Sequence, residues 1–125
     1  MTPLTLILSV KIIVTLIFVS GPFLLLSKRK IDSILGINGD SLGLYRVYGV
    51  AITALLVGYA GAIHQHMNGV FPVEIILMGI VSNAGATIAM LSTGMAKSNK
   101  MLAAFFGLMA ALLIFAFLFP QQVSG

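Results

Sequence analysis

The sequence predicts an all-α integral membrane protein, an antiparallel bundle of four transmembrane helices in a single domain, and three observations carry that prediction. Hydrophobic residues make up 59% of the 125 and charged residues 8%, far below the roughly 25% with which a soluble domain covers itself. The apolar residues fall into four runs, each long enough at 1.5 Å per residue to cross about 30 Å of hydrocarbon. The basic residues collect at the borders of those runs.

The net charge of +4 and a pI near 9.8 could suggest nucleic acid. Their placement instead suits membrane topology and anionic headgroups, so no nucleic-acid partner is expected. There is no cysteine, which excludes disulfides and thiolate metal sites.

The first run covers about residues 3–26. It lacks a basic leader and is too long for a signal-peptide core, and SKRK follows it instead of a small-residue cleavage site, so a retained helix is expected. Residues 27–43 form the longest connection. Ile31, Ile34 and Leu35 have the spacing of a short helix lying on headgroups, Asn38-Gly39 reads as a turn, and Asp40 or Ser41 as the next cap. The second helix is expected over about 44–67.

A tight link, NGVFP, leads to a third helix over about 72–95. Pro72 and Glu74 suit its N-terminus and Gly94 its stop. A short basic loop follows, with Ser98 as the expected cap of a fourth helix over about 100–119. Pro120 should end that helix and leave a polar tail.

Lys28, Arg29, Lys30 and Arg46 mark the connection between helices one and two. Lys97 and Lys100 mark the one between helices three and four, while the tails and the 68–72 link carry no lysine or arginine. The positive-inside rule then puts both termini outside the cytoplasm of a bacterial-type inner membrane, with these six cations against anionic lipid.

Helices in lipid associate through small residues and interhelical hydrogen bonds. At 100° per residue, Ala51, Ala54, Gly58, Gly61 and Ala62 share a face of the second helix. Gly79, Ser82, Asn83, Ala86, Ala89 and Thr93 do so on the third, and Ala103, Gly107 and Ala110 on the fourth. These faces are the expected contacts. The first helix has no such stripe and is expected outside the bundle or against a partner.

Four polar residues are candidates for chemistry or a translocation path. Asn83 lies mid-helix on the small-residue face and needs a partner. Lys11 sits about eight residues into the first helix, where it could snorkel outward or pair with Glu74 near the same edge. Tyr59 shares a face with Tyr48 and His66 that would suit a packing seam or a quinone- or lipid-sized groove. His64 and His66 offer imidazoles for a metal or haem, although 200° of helical rotation separates them, so one ion could use both only if the helix unwinds.

No hydrolase triad, HExxH, phosphate loop or paired intramembrane carboxylates occur. No cofactor is assigned. In size the chain is similar to small multidrug-resistance transporters, whose first helix centres on a glutamate; here Lys11 stands in the first helix instead. The expected function is a non-catalytic accessory or assembly subunit that associates with itself or with other membrane subunits. A small oligomeric transporter or channel is the alternative, and a metal- or haem-binding subunit the second alternative.

Overall fold

The computed structural model describes residues 2–125. Helices account for most of them, with no strand among the described residues. Helix α1 (Pro3–Leu25) opens on Thr2, whose side chain accepts from Thr5 N, with Pro3 at the position where its missing N–H costs nothing. Further along, Pro22 has no donor, and its ring would collide with the carbonyl four residues back. One turn, Leu16–Ser20, widens to π geometry and Gly21 N–H bonds Leu16 O. An added Cβ at Gly21 would lie 2.8 Å from that same oxygen. Ser20-Gly21-Pro22 is the sequence signal for this feature.

Helix α2 (Lys28–Leu35) is capped by Ser27 and ends on Gly36 at φ 70°. Glycine is doubly required there, since a Cβ would also lie 2.6 Å from Ser98 Cβ. Ile31 and Leu35 are buried, but Ile34, expected on the same face, is exposed. Helix α3 (Leu42–Met67) starts on Ser41, which accepts from Leu44 N.

Helix α4 (Val73–Thr93) follows Pro72 and stops at Gly94 in the left-handed region. The short α5 (Met95–Ser98) contains Ser98, so the expected cap is displaced by one residue: Asn99 accepts from Leu102 N and opens α6 (Lys100–Leu118). The tail is not a loose polar end. Pro120–Ser124 forms a turn of helix, α7, and its Val123 is buried against Leu4 and Leu8.

Packing corrects the expected faces. Tyr45, Gly49, Ile52, Leu56, Tyr59 and Ala62 are the buried residues of α3, a stripe at three- and four-residue spacing. Ala51, Ala54 and Gly61 are exposed, and Gly58 is half-buried beside Met78. Bulky Ile52, Leu56 and Tyr59 fill the interior, so Ala51, Ala54 and Gly61 turn outward, while Ala62 alone of the expected face is buried. Helices α4 and α6 share the most extensive contact, with Gly79 buried and Ser82, Ala86 and Gly107 half-buried, whereas α3 and α4 touch sparsely.

Helix α1 is no outlier. It packs along α3, burying Leu4, Leu8, Lys11, Thr15, Val19 and Phe23. Two apolar clusters result. Leu4, Leu8, Leu56, Ile76 and Leu113 centre one; Val19, Phe23, Ile31, Ile52 and Phe106 centre the other.

Side-chain bonds tie the ends together. Thr2 Oγ1 lies 2.8 Å from His66 Nε2, joining the start of α1 to the end of α3. At the opposite end of α3, Arg46 Nη1 donates to Phe23 O at 2.7 Å, a cation set on the last carbonyls of α1. Asn99 Nδ2 donates to Ile34 O at 2.9 Å, joining the second basic connection to the first.

Candidate functional site

A polar layer bridges the two clusters, and each long helix contributes to it. From α1, Lys11 is 4% exposed, and its Nζ donates to Asn83 Oδ1 on α4 at 2.7 Å. Asn83 is wholly buried. Its Nδ2 donates to Gly79 O at 2.7 Å and, more weakly, to the Tyr59 hydroxyl of α3 at 3.4 Å. From α6, the rings of Phe105 and Phe106 lie with their centroids 5.2 and 4.9 Å from Lys11 Nζ, within range of a cation–π attraction.

Local sequence explains the convergence. Gly79 stands one turn before Asn83, and without a side chain it lets Tyr59 and Leu113 close over the backbone. A Cβ there would lie 2.8 Å from the Tyr59 oxygen and 2.6 Å from Leu113 Cδ1. Asn83 is thus held by its own helix while its carbonyl side faces the lysine.

From sequence, Lys11 is expected to pair with Glu74 or to snorkel outward. The structure does neither. Glu74 is exposed in the first turn of α4, and Lys28–Asp32 is the sole ion pair among the described residues. The lysine turns inward because Asn83 offers an acceptor and two aromatic faces line its approach.

The histidines are not brought together. Helix α3 runs continuously through both; His66 meets Thr2, and His64 Nε2 lies 3.4 Å from Asn68 Nδ2. Among the described residues no group of three histidines, cysteines or acids is placed to hold a metal ion.

The basic residues differ in availability. Arg29, Lys30, Lys97 and Lys100 are exposed, but Arg46 is half-buried on Phe23 O. Lys28 Nζ donates to Asp32 Oδ2 at 2.7 Å and to Asn38 Oδ1 at 3.1 Å. Asp32 Oδ1 accepts from Gly39 N at 2.9 Å and from the Tyr45 hydroxyl at 2.5 Å. The Lys28 bond, then those from Tyr45 and Gly39, hold its carboxyl down at about 2, from an ordinary 3.8. This cluster locks the α2–α3 connection, a role that sequence reading had not given to Tyr45 or Asp32.

Where α3 and α4 diverge, a groove of about 610 Å³ opens, lined by Tyr48, Ala51, Ala86, Ala89, Met90 and Phe106 among others. Its walls are almost wholly apolar.

No family model, curated protein or solved structure matches this chain.

Proposed function

We propose that this chain is a non-catalytic subunit of a cell inner membrane, crossing it four times as an antiparallel bundle with both termini outside the cytoplasm. Its role in that reading is assembly: it docks a second copy of itself or another membrane subunit along α3 and α4. Four helices are long and apolar enough to cross a bilayer. The Thr2–His66 and Asn99–Ile34 bonds group the ends that lack lysine and arginine apart from the basic connections, which supports the orientation drawn from charge.

The observation that carries the reading is the outward small-residue surface beside the groove. Ala51, Ala54 and Gly61 of α3, with Gly85 and Ala89 of α4, are exposed, and a Cβ built on Gly61 or Gly85 meets nothing within 4 Å. In lipid such surfaces let another helix approach backbone to backbone. The mass of the chain in nanodiscs or gentle detergent tests this. Retention of a second copy or a defined partner is expected, and its loss in Ala51→Leu/Ala89→Leu with helicity intact. A monodisperse monomer would refute it.

The buried Lys11–Asn83–Tyr59 layer favours a second reading, a small oligomeric transporter or channel, because polar groups inside a membrane commonly mark a path. Flux in reconstituted vesicles that disappears in Asn83→Leu while the fold survives would select this reading over the first.

A further inference from the structure

A small cavity of about 10 Å³ lies in the polar layer, walled by Lys11, Thr15, Tyr48, Tyr59, Ser82 and Phe106 among others. It has room for about one water-sized particle. The polar side chains on its wall bring protons, and none is a carboxylate. An ammonium has three donors and no acceptor, and Lys11 commits one of them to Asn83. Thr15 Oγ1, in a residue 1% exposed, has no hydrogen-bond partner. It does not take even the carbonyl four residues back that a helical threonine commonly uses. The Tyr59 hydroxyl accepts from Asn83, and its own proton meets no acceptor among the described residues.

Charge points the same way. Rings present their faces to cations, so Phe105 and Phe106 favour the charged lysine while offering no neutralising group. The chain's three acids are Asp32, Asp40 and Glu74; Asp32 is bound to Lys28, and the other two are exposed. A water in the cavity would answer Thr15 but leave the ammonium without a counter-charge in a low-dielectric interior, where an unpaired charge is costly. One anion answers both.

We propose that Lys11 and Thr15 hold a single small monovalent anion, of halide size, in the cavity between them. An ion larger than water, chloride included, fits only if a neighbouring side chain yields slightly, and the larger sulfate and phosphate demand more room than that. Tyr48, Ala86 and Phe106 border both this cavity and the α3–α4 groove, and so form the wall between them. The inference is independent of what docks on the outer face of those helices.

The test is the thermal stability of the purified full chain in a neutral maltoside, with chloride exchanged for gluconate at constant ionic strength. Chloride should raise Tm saturably, by at least about 3 °C. Sulfate and iodide should not, the first for its shape and the second for its radius. Thr15→Val, which keeps the shape and removes the hydroxyl, should move the chloride midpoint up about tenfold. Lys11→Met should abolish the chloride response with helicity retained.

A wild-type Tm indifferent to chloride would show that the cavity serves water alone and would overturn the proposal. So would an equal response to sulfate, or an unchanged midpoint in Thr15→Val, which decides the matter even if Lys11→Met does not fold.

Discussion

Lys28 and Lys11 each donate one hydrogen bond of 2.7 Å, yet the two sites have little else in common. Lys28 meets a carboxylate four residues away on its own helix, at a surface where solvent screens the pair. Lys11 meets a neutral amide 72 residues away in the interior, with aromatic faces beside it and no carboxylate. A surface pair gains little because water serves both partners almost as well. A buried ammonium is held in place largely by the cost of losing an acceptor.

The contrast can be broken or sharpened by substitution, read as unfolding of the purified chain in mild detergent. Asn83→Leu should have the largest effect, about 3 kcal/mol or more, because it leaves the buried Lys11 amine without its protein acceptor. Adding Lys11→Met should recover much of that loss, since both polar groups then leave together. A double variant as unstable as the sum of the singles would mean that the bond is incidental.

Gly79→Ala comes next, at about 1–3 kcal/mol, because its methyl must displace Tyr59 and Leu113, which hold the layer closed. Gly85, on the same helix, is the control. A methyl there meets nothing, so Gly85→Ala should stabilise the monomer by about 0.5–1 kcal/mol through helix propensity. Equal effects at the two glycines would contradict the packing described for α4.

The smallest change belongs to the surface site and is visible only in acid. The Asp32 carboxyl titrates near 2 in the fold, below its ordinary 3.8. Its stabilising contribution is therefore complete above the ordinary value and disappears as pH falls from about 4 towards 2. A melting series across that window should show the loss in the wild type and a flatter limb in Asp32→Asn. Superimposable limbs would count against the Lys28–Asp32–Tyr45 cluster.

Much of this architecture is written in local chemistry. Four apolar runs, the Ser41 cap, the Gly94 stop and the amphipathic turn at Ile31 and Leu35 each depend on a few neighbouring residues, and composition or capping rules reach them. The π turn at Leu16–Ser20 was not anticipated, although Pro22 marks a place where a helix must displace a carbonyl.

Which face of each helix turns inward was not legible either. A helix apolar on every side carries almost no inside–outside contrast, so small residues alone suggested a contact surface on α3 that lies on the exterior.

From sequence alone came the four long helices, most of their ends and the connections in which the cations gather, because those follow from hydrophobicity, capping and charge along a continuous stretch. Tertiary structure alone decided that Lys11 points at Asn83 under the Phe105 and Phe106 rings, and that Thr15 faces a cavity with nothing to bond. Those facts depend on how four helices rotate against one another, and side-chain volume, summed over Leu56, Tyr59, Leu113 and their neighbours, sets that rotation.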